Sequence, residues 1–125
     1  MHFRPPLISD PITASDAVTL PGLFLRRCER TPDAEAYRQY DAQEQAWKSY
    51  PWREVRAQVA KWRAALAGED LAPGERVAVL LRNGVAWVCM DQAAQSLGLV
   101  VVPLYTTDSP ENIAYILGHC GARVL

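Results

Sequence analysis

Arg76-Val77-Ala78-Val79-Leu80-Leu81, then Arg82-Asn83-Gly84, a helical pattern from Val85 to Leu97, and Gly98-Leu99-Val100-Val101-Val102-Pro103-Leu104 form the stretch that decides the fold. A half-exposed strand alternates apolar and polar residues. A continuous β-branched run instead suits a strand covered on both faces, as in a parallel sheet. Two such runs flank one helix, and the pattern then repeats. Thr107-Asp108-Ser109-Pro110-Glu111 is a helix start, with Ser109 as cap and Pro110 at the first helical position. Ile113, Ile116, Leu117 and Cys120 form that helix's stripe, Gly121 closes it, and Arg123-Val124-Leu125 begins a further apolar strand. Strand, helix, strand, helix, strand with tight links predicts the start of a doubly wound α/β sheet.

Upstream the pattern differs. A helix is expected from Leu20 to Arg30, opened by Pro21 and stopped before Thr31-Pro32. Two short strands, 35–40 and 46–50, read as a hairpin, although the loop Asp41-Ala42-Gln43-Glu44-Gln45 has no glycine. Trp52, Val55, Val59, Trp62 and Leu66 then recur at helical spacing, with Pro51 suiting the helix's start and Gly68 its end. Arg53, Arg56, Lys61 and Arg63 lie mostly off that stripe. They read as a solvated basic face on a core-packed helix; an interfacial membrane helix is the alternative. Residues 1–18, with Pro5, Pro6 and Pro11, read as an extended arm, and 19–125 as the folded body.

Composition removes several classes of function. Half of the 125 residues are hydrophobic and 22% are charged, which excludes disorder as the main state and leaves room for one core. Thirteen basic residues face 14 acidic ones with no basic block, so a nucleic-acid partner is not expected. No apolar run is long enough to span a bilayer, and the first residues lack a secretion signal. Three cysteines without disulfide-like spacing point to a reducing, cytoplasmic compartment.

The chemistry is sparse. Neither G-x-G-x-x-G nor G-x-x-x-x-G-K-[ST] occurs, and Arg82-Asn83-Gly84 is the only glycine-bearing strand-to-helix turn. It reads as a helix-capping turn, with an anion-binding turn as the sharper alternative. Cys28, Cys89 and Cys120 have no metal-ligand spacing and read as buried thiols. No G-x-S-x-G elbow exists; His2 lies in the arm, and His119 sits in the last turn of a helix as a cation or cap. Asp108 and Glu111 lie at a helix N-terminus, where negative charge is favourable without catalytic duty. No catalytic, cofactor-binding or metal-ligating residue is therefore expected in the chain itself.

Two features read as incompleteness: a third strand only begun at Val124-Leu125, and a helix from Val85 to Leu97 that is apolar nearly all round in its first half. A second layer over that helix is expected from missing chain or a partner, leaving Val85, Trp87 and Val88 as an uncovered, self-associating flank.

Several stretches resemble, in order, the N-terminal part of the AMP-forming acyl-CoA synthetases, the adenylate-forming ligases. They are Arg30-Thr31-Pro32-Asp33-Ala34, Tyr50-Pro51-Trp52-Arg53-Glu54-Val55, Leu71 through Trp87, and Gly98 through Tyr105. Pro103-Leu104-Tyr105-Thr106-Thr107 followed by Ser109 through Leu117 is most similar to the bacterial long-chain fatty acid–CoA ligases. The resemblance implies a parent enzyme, cytoplasmic or peripheral to the membrane, that joins fatty acid to CoA using ATP and Mg, releasing AMP and pyrophosphate. It also implies that the phosphate loop, the adenine region and the catalytic lysine fall after Leu125. This chain is then scaffold, a partial N-terminal subdomain inactive alone, whose partner is the remainder of the ligase or a second copy. A stand-alone interaction module with a ligase-like half-fold is the alternative, and an independent nucleotide-binding α/β protein the third reading.

Overall fold

The decisive apolar run folds into a parallel strand with both faces covered. In the computed structural model, which describes residues 10–125, β3 (Arg76–Val79) pairs in parallel with β4 (Val100–Pro103), Val77 opposite Val101. Val77, Ala78 and Val79 are all buried, so successive side chains on opposite faces both find cover. The strand stops two residues short of the apolar run, leaving Leu80 half-buried and Leu81 exposed. β4, expected to be buried, is only half so: Val100 is 47% exposed, because β4 pairs with β3 alone among the described residues.

On β3's other side Val124 forms a parallel bridge with Val77. The Arg123 amide donates to the Arg76 carbonyl, and the Ala78 amide to that of Val124. The spatial order β4, β3, Val124 means that the chain leaves β3 on one side and returns on the other. That reversal is the mark of a doubly wound sheet.

α4 (Val85–Ser96) buries Val85, Cys89, Met90, Ala93 and Ala94. The expectation that nothing in the chain supplies its second layer is overturned. α3 (Trp52–Ala67) and α2 (Leu20–Arg30) both pack on it. Val85 is accordingly buried, and Trp87 and Val88 are half-buried rather than forming an uncovered flank. Apolar surface lies open elsewhere. α5 (Pro110–Cys120) buries no residue fully, leaving Ile113, Ile116 and Leu117 half-buried and Tyr115 67% exposed. Its ends are as expected: the Ser109 hydroxyl accepts from the Asn112 amide, and Gly121 closes the helix at φ 62°.

Most of the α3 stripe is spent on the core: Val55, Val59 and Leu66 are buried and Trp52 is half-buried, but Trp62 is exposed, and Arg53, Arg56, Lys61 and Arg63 face outward. Gly68 ends α3 as expected, its amide donating to the last helical carbonyls. It remains right-handed at φ −73°, and Asp70 takes the left-handed position at φ 54°. β1 (Glu35–Asp41) and β2 (Ala46–Pro51) form the antiparallel hairpin, Tyr40 opposite Trp47. The loop turns without glycine because the Asp41 carboxylate accepts from the Gln43 and Glu44 amides, and Gln45 adopts φ 51°. The extended arm expected over 1–18 lies partly outside the described residues, at 1–9. Within the described part, α1 (Ala14–Ala17) is one helical turn capped by the Thr13 hydroxyl.

Candidate functional site

In open α/β sheets ligands bind beyond the carboxyl ends of the strands, where the chain reverses direction. Here the ends of β3 and β4 enclose a crevice of about 500 Å³ whose polar and aromatic wall is Arg82, Asn83, Trp87, Tyr105, Thr106 and Thr107. These groups offer one cation, an amide, hydroxyls and ring faces. No carboxylate, histidine, lysine or thiol lines the crevice, so it has the means to bind but no acid–base pair.

The strand-to-helix turn Arg82-Asn83-Gly84 resolves in favour of capping, through a residue that sequence reading did not single out. The first amide of α4, that of Val85, donates to Gln39 Oε1 at 2.8 Å, across from the hairpin. A Cβ on Gly84 would stand 2.9 Å from that same oxygen, so the missing side chain lets the glutamine in. The amide an anion would need first is already engaged. No spacing in the sequence links positions 39 and 85; only the packed hairpin does. Gln39→Ala is expected to cost about 1 kcal/mol, the usual worth of a helix N-cap, and to lower the melting temperature by about 3–6 °C. Gln43→Ala, in the exposed loop, leaves it unchanged. Circular-dichroism melts of the two variants make the comparison.

The other candidates do not assemble. Cys28 and Cys89 are buried in the core, and Cys120 is half-buried on α5; all three are free thiols. Burial raises the Cys28 pKa, and it pushes that of Cys89 up to about 11, the wrong direction for a nucleophile or metal ligand. His119 stacks on Tyr115, ring centroids 5.7 Å apart, at the exposed end of α5. Asp108 and Glu111 stay at the start of α5, and His2 lies outside the described residues. Among the described residues no three His, Cys, Asp or Glu side chains converge. The strand-to-helix glycine turn, for its part, spends its leading amide on Gln39.

Comparison with known proteins places this geometry. The family model described as AMP-binding enzyme matches residues 24–125. The long-chain-fatty-acid–CoA ligase FadD13 of Mycobacterium tuberculosis is 35% identical over 60 residues, 48% of this chain and 12% of that one. The uncharacterized protein Rv1549 of the same organism is 27% identical over 113 residues, 90% of this chain and 62% of that one. The phosphinothricin tripeptide synthetase PhsB of Streptomyces viridochromogenes is 33% identical over 110 residues, 88% of this chain and 9% of that one. Among solved structures, the inhibitor-bound N-terminal domain of FACL13 from M. tuberculosis superposes with a TM-score of 0.73. It is 25% identical, with 83% of this chain and 25% of that one covered. An M. tuberculosis fatty acyl CoA synthetase shares the fold at TM-score 0.74 over 89% of this chain and 21% of its own. The chain thus spans less than two thirds of each of these proteins. With the sheet order, the helix layers and the family match over 24–125 in agreement, the chain belongs to the AMP-binding enzyme family and has the fold of its N-terminal domains.

Proposed function

We propose that this chain serves as the N-terminal scaffold of a cytoplasmic AMP-forming ligase that joins long-chain fatty acids to CoA. Residues 19–125 would be the first part of its large domain. The observation that carries this reading is the match over 24–125, together with the likenesses to the long-chain-fatty-acid–CoA ligase FadD13 and to the N-terminal domain of FACL13. On this reading ATP, Mg and CoA would be held by later parts of the ligase. No described helix is long and apolar enough to cross a membrane.

The alternative, a stand-alone interaction module, is favoured by one observation. The 113 residues matched in the uncharacterized Rv1549 make up 62% of that protein, so in one relative the matched unit is most of the chain. ATP–pyrophosphate exchange separates the readings. The purified 125 residues are expected to give none with any fatty acid. A reading frame continuing past Leu125 into a Ser/Thr/Gly-rich loop, with exchange dependent on long-chain fatty acids in the longer product, supports the ligase. Exchange by the short chain alone overturns the scaffold role, and a stop codon directly after Leu125 favours the module.

A further inference from the structure

Residues 10–18 cross the apolar side of α2 without entering the core: Ile12 and Ala17 are half-buried and Val18 is 82% exposed. Cavities of about 470 and 530 Å³ flank the segment, with Ile12, Leu20 and Leu23 as shared walls and Phe24 and Trp52 lining the first. The segment therefore divides one apolar trough along α2 in two.

What fastens it is largely charge. Arg27 Nη2 donates to the Asp10 carbonyl at 2.7 Å, and Arg30 Nη1 to Asp10 Oδ1 at 2.8 Å and to the Pro11 carbonyl at 3.2 Å. Arg30 Nη2 lies 3.6 Å from Asp16 Oδ2. The Arg30 and Asp10 side chains are 34% and 49% exposed, so dissolved salt reaches the pair and screens it.

Two features make the closed position delicately held. Val18 has φ 63°, a left-handed conformation that a β-branched residue adopts only under strain. At Gly22, a Cβ would collide with the Ala17 carbonyl oxygen, so the segment seats only because position 22 has no side chain. Backbone lies on the far side of that collision, and it cannot be relieved by a rotamer change.

We propose that Asp10–Val18 is a strap, latched to α2 by Arg27 and Arg30 and strained at Val18, which salt releases to uncover the Leu20–Leu23–Phe24 trough. The device acts independently of the ligase reading, because its parts all lie within this chain.

Amide hydrogen exchange of the full chain, read by mass spectrometry, tests it. The amides of Ala17, Val18 and Thr19 are each hydrogen-bonded within the closed strap. Raising sodium chloride from about 0.05 to about 0.5 M should speed their exchange roughly three- to tenfold, while amides 24–30 keep their protection. Arg30→Ala should reproduce that rate at low salt and remove most of the further salt response; Arg63→Ala, on the outer face of α3, should not. Gly22→Ala is the sharper variant. Gly22 stands in the first turn of α2 beside its Thr19 cap, so amides 24–30 should hold their protection while the strap loses its own at low salt. Exchange at 17–19 indifferent to salt and to Gly22→Ala would overturn the proposal. So would loss of protection in α2 together with the strap, which would make the segment part of the helix's own stability.

Discussion

Val77→Asp abolishes the cooperative unfolding transition. Val77 lies in the middle of β3, fully buried, paired with Val101 on one side and bridged to Val124 on the other. A carboxylate there has no partner to find, since no polar or charged residue is buried among those described. It must stay ionised in apolar surroundings or take up a proton against its ordinary pKa, and an unpaired buried charge costs about 3–5 kcal/mol. Domains of this size hold about 5–15 kcal/mol in all, and a chain with half-covered β4 and α5 belongs at the lower end. Val77→Ala provides the control. It deletes methyl groups without adding charge, costs about 2 kcal/mol, and leaves a cooperative transition at a lower temperature. The measurement is a thermal melt followed by near- and far-ultraviolet circular dichroism. A cooperative Val77→Asp melt close to that of the parent would show that β3 is not the centre of the sheet.

The same residues explain what the sequence made legible. Periodicity is local, so β3, α3 and α5 could be placed from Val77-Ala78-Val79, from the Val55–Val59–Leu66 stripe and from the Ser109-Pro110 start. Cover is not local. The first half of α4 is apolar on nearly every side, and one-dimensional reading could tell that a second layer existed but not which element formed it. α3 and α2, already visible as helices, turned out to be that layer. The error thus lay in pairing elements, not in finding them.

Long-range polar contacts are harder still. Gln39 caps α4 from 46 residues away, and a single exposed glutamine in a strand carries no mark of that duty. The only sequence trace is the partner's glycine, Gly84, whose bare backbone admits it. The hairpin loop shows the reverse case. Its missing glycine weakened the reading, yet Asp41 supplies the turn by accepting two backbone amides, and Gln45 bears the left-handed conformation. Of the candidate site, the position of the crevice follows from strand order alone. Of its wall, Arg82 and Asn83 were in view as the strand-to-helix turn, whereas Tyr105, Thr106 and Thr107 join it only because β3 and β4 pair in parallel.

In the folded chain at about pH 8, iodoacetamide should alkylate Cys120 and leave Cys89 untouched. Burial lifts the Cys89 thiol from 9.0 to about 11, which cuts its own thiolate population roughly hundredfold at that pH. The roughly hundredfold deficit in thiolate is compounded by a side chain with no exposed surface, while Cys120 is half-buried. Mass spectrometry after a timed pulse reads the sites, and all three thiols should react once urea unfolds the chain. The same shift sets a pH dependence. Below pH 9 the Cys89 thiol is protonated whether folded or not, and its contribution is fully present. Above the unfolded value the unfolded chain sheds the proton first and is favoured. Stability is therefore lost as pH rises from about 9 to about 11, at up to about 1.4 kcal/mol per unit from this group. Burial raises Cys28 and Tyr37 in the same direction, so Cys89→Ala should make the alkaline decline shallower without abolishing it. Native alkylation of Cys89 as fast as that of Cys120, or a melting temperature flat across that window, would mean that α4 opens to solvent and that the layer supplied by α3 is not tightly closed.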